Sequence, residues 1–220
     1  MRAPLERAAR SAYTLDMPYI PLRPELVGIT SLLDYRPETA APLCELTDVL
    51  LRGPSTLTEV ERELIATSVS QRNECSYCAS AHAAAACALP GGSTAQVAGL
   101  SAAAGPFSPK LSALLRIAAL VQESGRAVTS DDVSAARACG ATDREVHDTV
   151  LIAALFCLYN RYVDGLAAVT PDDPSYYEAL GARLSARGYR MPSDGYHPLA
   201  TGASAVPAAP ESAGDATAPA

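Results

Sequence analysis

Tryptophan is absent from these 220 residues, phenylalanine occurs only twice, and Lys110 is the single lysine. Without bulky aromatics, the apolar content falls mainly to alanine, leucine and valine. Alanine is the best intrinsic helix former, so this composition leans all-helical. The net charge is −7 and no Lys/Arg cluster stands out, which argues against a phosphate backbone as partner. Long apolar runs are lacking as well. The longest, Val150 to Tyr159, is too short to span a bilayer. The N-terminal MRAPLERAARSAYTLD has arginines but no apolar segment of the kind a secretory signal needs, so a cytoplasmic location is expected. No segment carries a strand signal.

What is present is enough apolar material for a large core, at a length that fits one domain or one domain with a tail. Residues 1–22 read as an irregular lead containing Pro4, Pro18 and Pro21, lying extended over the body or a partner subunit. Pro24 and Pro37 each mark a first helical turn, and Gly53 ends the second of these helices. Thr58 and Glu61 form a capping-box pattern that opens a helix to about Arg72. Asn73 reads as the N-cap of the next helix, CSYCASAHAAAACAL, which stops at Pro90-Gly91-Gly92.

Further starts fall at Ser93, at Ser108-Pro109 and at Thr129 or Ser130. Thr142 and Glu145 repeat the capping box and open the longest helix, to about Val169. Its apolar middle is expected to be the central buried helix. Ser175 to Arg187 forms a last helix, and from Met191 the chain turns to Pro, Ala, Gly and Ser. The organisation expected is an all-α helical domain over residues 23–190, with a lead at 1–22 and a disordered tail at 191–220.

The chemistry concentrates in Glu63 to His82, ELIATSVSQRNECSYCASAH. Of the cysteines, Cys44, Cys87, Cys139 and Cys157 stand singly in apolar helical contexts and read as small buried hydrophobes. Cys75 and Cys78 form a C-x-x-C pair, and His82 follows Cys78 by four residues. On a helix the three make one stripe. A helix start and a nearby imidazole both favour thiolate over thiol. His82, one turn after Cys78, can take its proton directly or through a water. Glu63 comes from the preceding antiparallel helix, from which it could orient His82 or relay its proton. Such a site suits attack of a thiolate on a peroxide, with a disulfide formed from the resulting sulfenic acid, or exchange with another disulfide.

Cys75, Cys78, His82 and Cys87 also approximate a zinc spacing, but one straight alanine-rich helix cannot fold four ligands around a tetrahedral ion. No metal or cofactor is therefore expected. Which thiol attacks stays open at this level, because Cys75 is nearer the helix start while Cys78 is nearer the imidazole.

Glu63, eleven residues, Cys75-Ser76-Tyr77-Cys78, three residues and His82 resembles the signature of the AhpD-like family, the alkylhydroperoxidase D and carboxymuconolactone decarboxylase superfamily, in particular its peroxidase-related branch. Gly53 through Ala66 and the helix ending Leu158 to Leu166 are similar to that branch as well, so the resemblance covers about residues 20–185. It implies an all-helical fold, homo-oligomers, and peroxidase activity on a hydroperoxide supported by a lipoyl or thioredoxin-like thiol reductant. It also implies Cys78 as peroxidatic cysteine, Cys75 as resolving cysteine, and His82 with Glu63 as proton relay. In alkylhydroperoxidase D a histidine stands beside the second cysteine of the pair, where this chain has Tyr77, which cannot serve as a base at neutral pH.

Two other classes fit the same residues. One is a decarboxylase or isomerase acting on a lactone by acid/base chemistry, which does not need the dithiol. The other is a non-catalytic oligomeric helical protein serving as redox sensor or partner-binding module. Asn160, Arg161 and Asp164, after the apolar run, read first as a buried polar clamp.

Overall fold

The computed structural model describes residues 17–102 and 105–199. The helices are α1 (Ile29–Tyr35), α2 (Pro37–Arg52), α3 (Glu59–Arg72), α4 (Ser76–Ala88), α5 (Thr94–Gly99), α6 (Pro109–Glu123), α7 (Ser130–Ala138), α8 (Asp143–Gly165) and α9 (Pro174–Arg187), with a 3-10 turn at Gly125–Ala127. Among the described residues there is no strand. The fold is all-α.

The local signals act where expected. Thr58, Thr129 and Thr142 each close a reciprocal capping box, and Pro37 and Pro109 sit in first helical turns. Three elements differ. The helix expected from Pro24 begins only at Ile29, because Gly28 has φ 55° and breaks helical continuation. Asn73 closes α3 instead of opening α4; the N-cap position of α4 belongs to Cys75, which makes no side-chain cap bond. The side chain of Asn73 instead donates to Asn160 Oδ1 (2.7 Å) and accepts from Gln122 Nε2 (2.8 Å), tying the α3–α4 turn to α6 and α8.

The third difference concerns the centre of the molecule. Residues 62–70 of α3 are buried without interruption, whereas α8 leaves Ala154 and Leu158 in solvent, the latter 45 % exposed. α3 is therefore the central helix, packed against α4, α6 and α8. It tolerates this position despite its polar residues because most of them are satisfied from inside. Arg62 donates to the carbonyls of Leu50 and Gly53, Thr67 to that of Glu63, and Ser70 accepts from Asn160. α4 lies between α3 and α9. Its alanines let α9 come close: a Cβ at Gly181 would stand 2.6 Å from the Ala84 backbone.

The packed body extends past the expected boundary at 190. Tyr196 is buried against Leu26, Leu33, Ala40 and Cys44. Residues 191–199 thus lie on the domain, while the rest of the expected tail and residues 1–16 of the lead are outside the described residues. At the other end, Tyr19 N–H donates to Leu166 O (3.0 Å), which lays the described part of the lead along the end of α8.

Glu145 is the strongest polar tie away from the α3–α4 pair. Its carboxylate accepts from Lys110 Nζ (2.8 Å), Thr56 Oγ1 (2.9 Å) and the Thr142 N–H (2.7 Å). Burial works against its ionisation, but the Lys110, Thr142 and Thr56 bonds outweigh it and hold the carboxyl at about 2. Its contribution is therefore complete above the ordinary value of 4.5 and is lost as pH falls from there towards 2. Glu145→Gln is expected to cost about 1–3 kcal/mol at neutral pH and to flatten the acid limb of melting temperature against pH. A titration of melting temperature for both proteins checks this, and parallel acid limbs would refute it.

Candidate active site

The short α3–α4 connection sets the site. Glu74 takes a positive φ of 59°, Cys75 N–H donates to Ser70 O (3.1 Å), and α4 then runs back along α3. Cys75 caps α4 and Cys78 is its third residue, where unpaired N–H groups and the helix dipole favour negative charge. Both cysteines are buried, at 1 % and 3 % exposure. The neighbouring Cys78 and burial push the Cys75 thiol well above its ordinary value, so Cys75 keeps its proton.

Glu63 is fully buried on α3 and faces α4. Its Oε2 lies 2.7 Å from His82 Nδ1; its Oε1 accepts from Arg52 Nη2 (2.6 Å) and from the Tyr189 hydroxyl (2.6 Å). Burial alone would raise this carboxyl, but His82, Arg52 and Tyr189 outweigh it and hold it below the usual carboxylate range. An ionised acceptor at Nδ1 assigns the hydrogen to that nitrogen, so in the neutral ring Nε2 carries the lone pair. Among the described residues Nε2 has no hydrogen-bond partner. The ring is held flat against Tyr189 (centroids 5.7 Å, 11° between planes) and edge-on to Phe156 (4.4 Å).

A cavity of about 370 Å³ opens beside this array. Cys78 and His82 line it and Cys75 does not. Ile29, Leu33, Phe156, Leu180 and Leu184 make its apolar walls, and the segment after α9, including Tyr189 and Tyr196, closes one side. Cys44 also reaches the wall, with its sulfur 3.3 Å from the Tyr196 hydroxyl; burial raises its thiol, as suits a packing residue.

The structure thus brings together Glu63, Cys75, Cys78 and His82, and adds Arg52 and Tyr189, which sequence reasoning missed. Arg52 reads as an ordinary basic residue in a last helical turn. Tyr189 follows a helix-ending Gly188, a common place for an aromatic contact, but nothing there tells that it reaches Glu63, 126 residues earlier. The expectation that four lone cysteines are buried holds only for Cys44; Cys87 and Cys157 are half-buried and Cys139 is exposed. Asn160 does make the buried clamp, to Asn73 and Ser70, while Arg161 is exposed. Asp164 lies against the Cys75 thiol; burial raises its carboxyl and that thiol's hydrogen bond opposes the rise. Among the described residues no His, Cys, Asp and Glu cluster could hold a metal ion, and no helix is long and apolar enough to cross a membrane.

Tyr77, at the position of the missing histidine, is buried, and its hydroxyl lies 3.2 Å from that of Tyr176. Burial pushes its phenol well above the ordinary value, so it is a wall residue and not a base. Its ring fills the space over Gly28, where φ is 55° and an added Cβ would overlap it. Gly28→Ala should therefore combine left-handed strain with overpacking, roughly 2–5 kcal/mol together. Thermal denaturation by circular dichroism is the check, and an unchanged melting temperature would contradict the packing.

Residues 37–120 match the model of the carboxymuconolactone decarboxylase family. Similar solved structures include an uncharacterised peroxidase-related protein from Silicibacter sp. (25 % identity, 66 % of this chain and 76 % of that one, TM-score 0.61). Another, from Ralstonia eutropha, is described as an alkylhydroperoxidase AhpD core (25 % identity, 71 % and 82 %, TM-score 0.63). A protein of unknown function from Agrobacterium tumefaciens shares the fold at 19 % identity (66 % and 99 %, TM-score 0.58). No curated protein matches. Over residues 37–120 the chain is similar to the carboxymuconolactone decarboxylase family, and its fold is that of the AhpD-like, peroxidase-related structures.

Proposed function

We propose that the protein is a thiol-dependent peroxidase that reduces hydroperoxides through Cys78 and Cys75. The observation that carries this reading is the shared cavity wall of Cys78 and His82, with the imidazole fixed from behind by a buried, ionised Glu63. Cys78 sulfur, relieved of its proton through His82 Nε2, attacks the terminal oxygen of the hydroperoxide. The O–O bond breaks, sulfur is oxidised to sulfenic acid, and the departing alkoxide takes the proton held by His82 to leave as an alcohol. The Cys75 thiol then attacks the sulfenic sulfur, water leaves, and a Cys75–Cys78 disulfide forms. An external dithiol reduces it and is itself oxidised to a disulfide.

The names of the Silicibacter and Ralstonia proteins, peroxidase-related and alkylhydroperoxidase core, support the assignment. Leu46, Val49 and Leu158, left exposed on α2 and α8, support the self-association expected from the sequence. The test is steady-state consumption of hydroperoxide with lipoyl, thioredoxin-like and mycothiol-like donors, followed by mass spectrometry of the oxidised protein. Turnover with at least one donor and a Cys75–Cys78 linkage are expected. If peroxide leaves neither sulfenate nor disulfide, the reading fails. An acid/base activity on a lactone that survives replacement of both cysteines by serine would replace it.

A further inference from the structure

The cavity is much larger than the reaction needs. Hydrogen peroxide is little bigger than water, whose share of liquid volume is about 30 Å³, whereas the space beside Cys78 is about 370 Å³. That size falls in the range of small-molecule ligand pockets. Its walls are aliphatic and aromatic near the sulfur, which disfavours a small polar substrate and suits a hydrocarbon body.

One polar feature of the wall is out of balance. Arg183 of α9 lines the cavity, is half-buried, and has no ion pair or hydrogen bond among the described residues. The other cavity arginine with a set position, Arg190, is committed to Asp48 (2.9 Å). Around Arg183 stand neutral phenols: its charge acts on Tyr77, Tyr176 and Tyr196. Arg187, one turn further along α9, also lines the cavity and likewise has no carboxylate partner among the described residues. Among the described residues Asp194 is the one acidic side chain on the wall, and it is 75 % exposed and turned to His197 (3.4 Å). A cation left without a counter-ion at the edge of an apolar chamber is a place for a ligand anion, and a guanidinium binds a carboxylate through two parallel bonds.

We propose that the cavity is the binding site for an amphipathic organic hydroperoxide that carries a carboxylate, with Arg183 as its counter-charge. This rests on the peroxidase reading for the fate of the ligand, not for its binding. The carboxylate pairs with Arg183, the hydrocarbon lies along Leu180, Leu184, Leu33 and Phe156, and the peroxide end reaches Cys78 and His82. The chemistry is unchanged: sulfur gains the terminal oxygen, and the organic part leaves as the hydroxy acid.

The experiment compares a medium-chain hydroperoxy fatty acid with its methyl ester, which has the same body and no charge. Wild type should favour the acid in kcat/KM by about tenfold or more, the scale of a charge-assisted hydrogen-bonded pair. Arg183→Gln should bring the acid-to-ester ratio close to one, and Arg183→Lys should keep part of the preference. Equal use of acid and ester by wild type, or a preference that survives Arg183→Gln, overturns the proposal. The wild-type comparison needs no variant, so it decides even if Arg183→Gln does not fold.

A second arm separates this idea from the peroxidase reading. The corresponding hydroxy acid and hydroxy ester, which cannot react, are titrated into the protein by calorimetry. Tighter binding of the acid, lost in Arg183→Gln, supports the site even if no hydroperoxide is consumed. Equal affinity overturns it even if peroxidase activity is present.

Discussion

Cys78→Ser is expected to lower hydroperoxide turnover about a thousandfold or more, the scale of losing a nucleophile that acts as part of a unit. Cys75→Ser is expected to behave differently. Its Cys78 still faces the cavity beside His82, so one equivalent of hydroperoxide should react and leave a sulfenic acid that no neighbour resolves. A sulfenate-trapping reagent with mass spectrometry reads this directly: label on Cys78 in Cys75→Ser, none in Cys78→Ser. The opposite pattern would exchange the two roles. The geometry argues against that exchange, because Cys75 does not line the cavity, and Cys78 and burial hold its thiol protonated.

Glu63→Gln should be nearly as damaging, and should affect stability together with rate. The carboxylate accepts from three donors at once, on Arg52, Tyr189 and His82. An amide has one acceptor oxygen and turns its NH₂ towards one of those donors. Arg52, whose side chain is only 10 % exposed, then loses its close anion and keeps only the longer contact to Glu59 (3.8 Å). Breaking such a pair from one side costs about 3–5 kcal/mol, and disordering the base typically costs about 10²–10⁴ in rate. The pH dependence has a definite sign. The Glu63 carboxyl is held below its ordinary range, so its contribution is present above the unfolded value and is lost on acidification. Wild type should lose more stability along that limb than Glu63→Gln, which keeps only the contributions of other lowered carboxylates such as Glu145. Melts between neutral and acid pH, with turnover at neutral pH, decide this; wild-type values of both would rule out the network. Tyr189→Phe removes one neutral donor and should cost only about 1 kcal/mol, with a smaller drop in rate.

Much of the scaffold was legible because it is written locally. Capping boxes at Thr58 and Thr142 and the glycine and proline stops set helix ends through bonds between residues three or four apart. The core of the candidate site was legible for the same reason: Glu63, Cys75, Cys78 and His82 sit on two consecutive helices joined by a short turn. What was not legible depends on tertiary packing. Arg52 and Tyr189 meet Glu63 only after α2 and the segment behind α9 close over α3, and no periodicity encodes that meeting. The centre was misplaced for a related reason. Apolar count favours α8, yet α3 is the buried helix because its polar side chains find partners inside, while part of the apolar surface of α8 is left to solvent. Asn73 has the right chemistry for an N-cap, but the positive φ at Glu74 moves that position to Cys75.

The cover that Tyr189 provides has a consequence for how the protein is made. Synthesis delivers Cys75, Cys78 and His82 about a hundred residues before Tyr189. At ribosomal speeds the dithiol waits roughly 5–20 s for the segment that shields it. During that interval a nascent chain offers oxidants and chaperones a thiol pair that the finished molecule keeps at 1 % and 3 % exposure. The redox state in which the site is first assembled is therefore set by the surroundings of the ribosome, before the cavity exists.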